Sequence, residues 1–252
     1  MTPPTAPVLE VRELRKSFGA HTVLDGVSLA VAPCETVVVL GGSGEGKSVF
    51  LKHLNGLLRP DGGSVRVLDR ELSELAEDDV VALRRRVSYI FQHGALFDSL
   101  TVGENVAFPL REHARLGDDD VAGRVAALLD RVGLGGTEGL APAELSGGMR
   151  KRVALARGLA LDPEVILYDE PTAGLDPVTG VAISSLIGEV TRTTGATSLV
   201  VTHDIAVAAK LADRVAFLSG GRFVFTGTMA EAAQAEGRLG EFVRAGGFHA
   251  RE

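Results

Sequence analysis

Short strand-like segments alternate with amphipathic, helix-like segments along most of the chain. The strand-like segments are rich in Val, Leu and Ile, as in strands buried on both faces of a parallel sheet. They span 35–40, 87–91, 165–168 and 197–201. Apolar residues at helical spacing lie in the segments 49–58, 78–86, 178–193, 205–211 and 229–236. This alternation predicts an α/β fold with a parallel core sheet.

Two regions depart from the alternation. At the N-terminal end, the segment 8–18 and a second strand near 27–31, joined by a turn at 21–26, predict a small antiparallel sheet. The strand 64–68 follows the first core helix. Between 93 and 160 only helical patterns occur, which predicts an all-helical insertion. The helices predicted there are 101–115, 118–132 and 146–160.

The C-terminal part of the chain completes the prediction. Segments 214–218 and 222–226 flank a Ser-Gly-Gly turn and predict a hairpin. The segment 237–252 has little apolar periodicity beyond Leu239, Phe242 and Val243, and we expect a tail or a partner-binding extension there.

Composition and charge indicate the class of protein, its partners and its location. The chain has 252 residues, 45% of them hydrophobic, which can furnish a large core. A net charge of −7 gives no electrostatic support to nucleic-acid binding, so no nucleic-acid partner is expected. No segment has the roughly 18 to 20 apolar residues of a membrane span, and residues 1–7 do not resemble a signal peptide. We expect a cytoplasmic protein whose membrane role comes through a partner.

The strongest chemical signal is a glycine-rich loop between a predicted strand and a predicted helix. It consists of Gly41, Gly42, Ser43, Gly44, Glu45, Gly46, Lys47 and Ser48. This G-x-x-x-x-G-K-S pattern lets backbone N–H groups and the helix N-terminus face phosphate oxygens. Lys47 can reach the outer phosphates and Ser48 can hold Mg²⁺. The alternative, a glycine turn without ligand, is disfavoured by the Lys-Ser pair and by both flanks.

An acidic pair, Asp169 and Glu170, follows the predicted strand 165–168. The first carboxylate can hold Mg²⁺, and the second can orient, or take a proton from, the water that attacks a γ-phosphate. Such a pair is common on ordinary protein surfaces and is a weak signal alone. It becomes a strong signal of a hydrolytic site because the same chain contains the phosphate loop. It therefore supports a nucleotide-hydrolysing site.

A second glycine-rich helix start contains Ser146, Gly147 and Gly148. The simplest interpretation is a serine N-cap followed by flexible glycines. The alternative is a second anion cradle, formed by the serine hydroxyl, glycine amides and the helix dipole. One chain would then carry two phosphate-binding helix ends.

Five further positions or runs carry weaker signals, and two of them, Phe18 and Gln92, have two interpretations each. Phe18 can stack on an adenine ring, although an isolated Phe is more often a core residue. Gln92, just beyond a strand, is usually a solvated loop residue, but here it lies where a metal-bound nucleotide would meet a moving segment. The acidic run 118–120 predicts a helix start, and the basic run 150–152 a solvated helix face. Cys34, the single cysteine, is expected to be a packed thiol.

Together and in this order, the motifs resemble those of ABC-transporter ATPases. The glycine loop is similar to Walker A, Gln92 to the Q-loop and 145–149 to the signature motif. Segment 165–170 is similar to Walker B, 174–176 to the D-loop and His203 to the H-loop. The resemblance covers 8–236. It implies a P-loop NTPase fold with an antiparallel β subdomain, a RecA-like core and an inserted α-helical subdomain at about 93–160.

The resemblance also implies ATP hydrolysis with Mg²⁺ in a head-to-tail homodimer, each ATP lying between one subunit's Walker A and the other's signature motif. Glu170, His203 and Lys47 would be catalytic, and Ser48, Gln92 and Asp169 would organise the metal. The implied nucleotide contacts are Phe18, Gly41, Gly42, Ser43, Gly44, Glu45, Gly46, Lys47, Ser48, Val49, Gln92, Ser146, Gly147, Gly148 and Asp176. Met149 departs from the usual glutamine, and we expect little loss of activity because backbone amides and Ser146 make the phosphate contacts.

Three details narrow the resemblance: Gly42 within the loop, the run 92–102, and 145–152 reading L-S-G-G-M-R-K-R. They are similar to MlaF-type ATPases of phospholipid-trafficking ABC systems. This implies an MlaE-type permease partner docked on the helical insertion, an MCE-class lipid-binding protein reached indirectly, and a peripheral place on the cytoplasmic face of the inner membrane. The alternatives are an ATPase for amino-acid or metal-ion transport, and a non-transport ABC protein.

Overall fold

The computed structural model describes residues 6–248. The strands are β1 (Leu9–Phe18), β2 (His21–Val31), β3 (Thr36–Leu40), β4 (Gly62–Val67), β5 (Arg70–Glu71), β6 (Val87–Ile90), β7 (Val165–Asp169), β8 (Thr197–Thr202), β9 (Arg214–Ser219) and β10 (Arg222–Gly227). The α-helices are α1 (Lys47–Leu54), α2 (Glu77–Arg84), α3 (Val102–His113), α4 (Asp118–Arg131), α5 (Gly147–Leu159), α6 (Pro177–Thr194), α7 (Ile205–Leu211), α8 (Met229–Gln234) and α9 (Gly237–Ala245).

A six-stranded sheet forms the centre, in the order β10-β9-β3-β8-β7-β6. All neighbours are parallel except the predicted β9–β10 hairpin at one edge. Successive residues of β3 point to opposite faces, and both faces are covered. Val37 and Val39 pack in one hydrophobic cluster, and Val38 and Leu40 in the other. The sequence prediction of a parallel core is confirmed.

The second sheet is antiparallel, in the order β2-β1-β4-β5. It packs in the same cluster as α1 and one face of the central sheet, through residues such as Leu14, Leu24 and Phe50. The predicted turn at 21–26 is wrong, because β2 begins at His21 and pairs with β1 from Phe18 onwards. The chain reverses instead at Gly19, which has a φ of 60°.

The inserted subdomain is helical, as predicted, since the described residues between β6 and β7 form no strand. Thr101 caps α3 in a capping box with Glu104, and the acidic run 118–120 begins α4 as expected. Helices α3, α4 and α5 pack on one another around Val106, Leu129 and Leu155. Ser146 is the N-cap of α5, so this helix presents its N-terminal turn at the surface.

Three sequence predictions about local structure are wrong. The first core helix ends at Leu54 and does not reach residue 58, because Gly56 adopts a φ of 63°. The segment predicted as a tail forms helix α9 from Gly237 to Ala245, and this helix packs Leu239 and Val243 into the core. Residues 249–252 of the predicted tail lie outside the described part. Cys34 is exposed and has a φ of 61°.

No helix among the described residues 6–248 combines the length and the apolar character that crossing a bilayer requires.

Candidate functional site

The glycine loop joins the carboxyl end of β3 to the N-terminus of α1. Gly46 has a φ of 94°, and a Cβ there would lie 2.8 Å from Cγ1 of Val23. Gly44 also has a positive φ, and no atom lies within 4 Å of its missing Cβ. The sequence therefore needs glycine at both positions, and the loop leaves open space for a phosphate group beside its amides.

Lys47 lies at the start of α1 with its side chain buried. Its Nζ donates to the carbonyl oxygens of Gly41 and Gly42, at 3.0 Å each, and lies 3.2 Å from Oε1 of Glu170. One ammonium group thus joins the glycine loop to the end of β7. A cation in this position can neutralise the outer phosphates of a nucleotide.

Asp169 lies at the end of β7 and faces the start of α1. Its Oδ1 accepts a hydrogen bond from Ser48 Oγ at 2.7 Å, and its Oδ2 accepts one from Tyr89 OH at 2.8 Å. Burial, together with the neighbouring Asp169 charge, raises the pKa of Tyr89, so this phenol stays a donor.

The Ser48 and Asp169 oxygens suit Mg²⁺, which prefers a few hard oxygen ligands and completes its shell with phosphates and water. No group of three or more His, Cys, Asp or Glu residues arranged to hold a metal occurs within residues 6–248. The Ser48 and Asp169 oxygens leave most of the coordination shell to phosphate and water, so this donor set fits a metal that arrives with a nucleotide.

Glu170 is the most constrained side chain of the site. Its carboxylate accepts from Thr202 Oγ1 at 3.1 Å and lies 3.0 Å from His203 Nδ1, besides its contact with Lys47. Its backbone has a φ of 45°, a conformation that non-glycine residues adopt at a cost. The carboxylate is thus fixed at the strand edge, where it can orient a water molecule.

These groups surround a cavity of about 640 Å³. Its lining residues are Phe18, Val23, Gly42, Ser43, Gly44, Gly46, Lys47, Ser48, Val49, Gln92, Glu170, His203 and Phe242. Phe18 is exposed by 49%, so its ring is accessible for stacking rather than part of the core. Most of the residues singled out in the sequence therefore meet at one place.

The remaining predicted residues divide into two groups. Gly41, Glu45 and Asp169 lie beside the cavity without lining it. Ser146, Gly147, Gly148 and Asp176 lie elsewhere, with Ser146 and Asp176 exposed and Gly148 buried. There Ser146 Oγ accepts from Met149 N at 3.2 Å, and a Cβ on Gly148 would lie 2.6 Å from Thr179. The chain does not bring its own signature segment to its own phosphate loop.

The sequence interpretation missed several residues. Val23 was assigned to a turn and Phe242 to a tail, yet both line the cavity. Lys151 was expected on a solvated helix face, but it is buried, and its Nζ donates to the carbonyl oxygens of Gln92 and Glu170. No local pattern marks Val23 or Lys151, whereas Phe242 shares helical spacing with Leu239 and Val243. Tyr89 could have been found, because neighbouring parallel strands end at the same sheet edge.

Comparison with known proteins agrees with this geometry. Residues 24–173 match the family model of the ABC transporter family. The chain is 43% identical to the probable ribonucleotide transport ATP-binding protein mkl of Mycobacterium leprae, over 89% of this chain and 65% of that protein. It is 42% identical to protein TRIGALACTOSYLDIACYLGLYCEROL 3, chloroplastic, of Arabidopsis thaliana, over 87% of this chain and 68% of that protein.

The chain is also 43% identical to the methionine import ATP-binding protein MetN of Mesorhizobium japonicum, over 87% of this chain and 60% of that protein. It thus spans somewhat less than two thirds of the length of the mycobacterial and MetN relatives. Its fold is similar to a dimeric, post-hydrolysis structure of the ATP-binding cassette MJ0796 bound to ADP and Pi. The TM-score is 0.81 with 32% identity, over 87% of this chain and 98% of that one. The chain therefore belongs to the ABC transporter family, and its fold is that of the ATP-binding cassette.

Proposed function

We propose that the protein hydrolyses ATP with Mg²⁺ as the ATPase subunit of a lipid-transporting ABC system. The observation that carries the ATPase proposal is the convergence of Lys47, Ser48, Glu170 and His203 on one cavity beside the glycine loop, with Asp169 hydrogen-bonded to Ser48. Each group has the chemistry that phosphoryl transfer to water requires.

In this proposal, Lys47 and the loop amides bind the outer phosphates, and Phe18 stacks on the adenine. Ser48, Asp169 and Gln92 would hold Mg²⁺, and the metal would supply positive charge to the phosphate oxygens. Glu170 orients the attacking water and takes its proton. His203, 3.0 Å from Glu170 through Nδ1, contacts the γ-phosphate.

The complete site takes a second copy of the chain. Ser146 and Asp176 are exposed and lie apart from the cavity of their own subunit. Ser146 begins α5, so the N-terminal turn of this helix can offer a hydroxyl, amides and a helix dipole to a phosphate. We infer a head-to-tail homodimer in which Ser146, Gly147 and Gly148 close over the partner's nucleotide and Asp176 lies at the interface.

A groove beside the helical insertion supports a docking site for a membrane partner. A groove of about 490 Å³ lies between the helical insertion and the core, next to Gln92. Phe97 and Phe108, which contact each other with ring centroids 4.9 Å apart, are 43% and 40% exposed there. An apolar patch of this kind suits a protein interface. We propose that the permease's coupling helix docks in this groove, which places the ATPase peripherally on the cytoplasmic face of the inner membrane.

Two observations support the proposal that the transported substrate is a lipid. One is the run L-S-G-G-M-R-K-R at 145–152 with Gly42, which is similar to MlaF-type ATPases. The other is the plant relative, whose name contains a galactolipid. On these grounds the permease is of the MlaE type and cooperates with an MCE-class lipid-binding protein.

A second candidate function is amino-acid transport, favoured by the 43% identity to a methionine import ATP-binding protein. The same residues would hydrolyse ATP in either system. The two candidates differ only in the permease and its cargo.

Affinity purification of the full chain from its own membranes, followed by mass spectrometry of protein and lipid, tests the proposal. We expect a multi-span permease carrying phospholipid, and Mg²⁺-dependent ATP hydrolysis that Lys47→Ala abolishes. A permease that binds methionine and no lipid would refute the lipid assignment alone. Hydrolysis that survives Lys47→Ala would refute the nucleotide site.

A further inference from the structure

Helix α9 reaches the phosphate loop, although it lies outside every sequence motif. Arg238 and Phe242 are four residues apart and therefore share one face of this helix. Phe242 lines the nucleotide cavity and packs on Phe217, with ring centroids 5.3 Å apart. Arg238 extends from the same face towards the glycine loop.

The guanidinium of Arg238 makes two defined contacts. Its Nη2 lies 2.7 Å from Oε1 of Glu45, and its Nη1 donates to Oγ of Ser219 at 2.8 Å. The other carboxylate oxygen of Glu45 accepts from Gly220 N at 2.7 Å. Glu45 is thus held through both oxygens, by α9 on one side and by the β9–β10 turn on the other.

Glu45 poses an electrostatic problem at this position. It belongs to the loop whose amides face phosphate, and its side chain is only 15% exposed, so water screens its charge poorly. An uncompensated carboxylate there would repel a nucleotide. Arg238 lies against the loop itself, since a Cβ on Gly42 would be 3.9 Å from Nη2.

An exposed ion pair usually adds little stability, and Arg238 is 67% exposed. Its value here lies in charge and orientation rather than in the free energy of unfolding. Because Glu45 and Arg238 are 193 residues apart in sequence, the contact also links the C-terminal helix to the loop.

We propose that Arg238 is a positioning residue for ATP binding, which neutralises Glu45 and fixes the phosphate loop against the β9–β10 turn. Helix α9 is then a wall of the nucleotide site rather than an appendage. This inference rests on the nucleotide position proposed above.

Amide hydrogen exchange of the full, nucleotide-free chain tests the positioning directly. In Arg238→Gln, we expect exchange over 41–46 to become about two- to five-fold faster, as for a lost exposed ion pair. Arg244→Gln is the matched control, because Arg244 is an exposed arginine of the same helix. Equal protection of the loop in wild type and Arg238→Gln would overturn the inference.

Calorimetric titration with ATP and ADP tests the charge. Arg238→Gln should weaken ATP binding by about three- to ten-fold, more than ADP binding, and the loss should shrink at high salt. Removing the carboxylate as well, in Glu45→Gln with Arg238→Gln, should restore affinity, and Arg238→Lys should retain part of it. Additive losses in the double variant, or an unchanged affinity in Arg238→Gln, would overturn the inference.

The Lys47→Ala variant separates the two proposals. If it abolishes ATP binding while Arg238→Gln binds normally, only the role of Arg238 is refuted. If Lys47→Ala binds ATP as the wild type does, the nucleotide position proposed above is refuted, and with it the role of Arg238.

Discussion

Single side chains at the carboxyl edge of the central sheet form the centre of the candidate site. Glu170 is approached by an ammonium, a hydroxyl and an imidazole, from Lys47, Thr202 and His203. Asp169 next to it is bound by Ser48 and Tyr89. Adjacent carboxylates with such different partners are suited to different tasks, one to the metal and the other to water.

Replacing Glu170 with glutamine should separate binding from hydrolysis. The amide keeps the size and the hydrogen-bond acceptor but cannot take a proton, so turnover should fall by about 10²-fold or more while ATP still binds. Turnover by phosphate release and affinity by calorimetry measure the two effects. Glu189→Gln, an exposed glutamate of α6, is the control. Turnover at the parent rate in Glu170→Gln would rule out the assignment of the base.

Tyr89→Phe removes the hydroxyl that donates to Asp169 and keeps the ring, which packs on Phe91 at 4.3 Å. Because the hydrogen bond orients the carboxylate, the Mg²⁺ concentration for half-maximal activity should rise by about three- to ten-fold with little change in kcat. A magnesium titration of ATP hydrolysis measures this. An unchanged magnesium dependence would show that Ser48 alone orients Asp169.

At the level of elements, helix α5 carries both the N-terminal turn with Ser146 and a lysine that contacts the candidate site. Its N-terminal turn carries Ser146, and one turn later Lys151 donates to the carbonyl oxygens of Gln92 and Glu170. Burial lowers the pKa of Lys151 because it disfavours the charged ammonium group. The nearby carboxylates of Asp169 and Glu170 act in the opposite direction and favour the charged form. A costly buried lysine at this point indicates that α5 holds both loops in register.

Lys151→Met should test this link. The buried carbonyl groups lose their donor, so kcat should fall by about ten-fold with a smaller change in the KM for ATP. Lys210→Met, the same change at an exposed lysine of α7, should leave both parameters unchanged. Equal kinetics for the two variants would mean that Lys151 serves packing alone.

At the scale of the whole molecule, the cavity and the segment with Ser146 lie on different surfaces of one chain. The cavity holds the phosphate loop and Glu170, whereas Ser146 and Asp176 are exposed elsewhere. In a head-to-tail dimer, the same two surfaces would meet twice because of the two-fold symmetry. Two chains would then form two equivalent sites.

Mixing two inactive variants tests this arrangement. A Lys47→Ala chain paired with a Ser146→Arg chain forms one intact site, from the loop of the second and the signature of the first. Random mixing should therefore restore about a quarter of wild-type hydrolysis if the sites act independently. Steady-state turnover of the mixture measures it, and Lys47→Ala alone is the control. No recovery would contradict a shared site.

The fold and most of the site could be predicted from the sequence. The parallel core, the antiparallel sheet, the helical insertion and the residues from Gly41 to Ser48 were all predicted. The errors occurred at 21–26, at the end of the first core helix, at Cys34, at Lys151 and at α9. In α9 the helical spacing of Leu239, Phe242 and Val243 spans little more than one turn. Contacts between distant segments decide the structure at those positions.

What the sequence by itself determined was the set of motifs and their order, because backbone conformation and residue type at fixed spacing are local properties. Only the tertiary structure decided that Phe242 lines the cavity and that Arg238 contacts Glu45 of the glycine loop. It also decided that Lys151 is buried and that Ser146 lies apart from its own phosphate loop. These facts depend on how helices pack across the sheet. Such packing is chosen by burial and hydrogen bonding summed over the whole chain, which no short segment encodes.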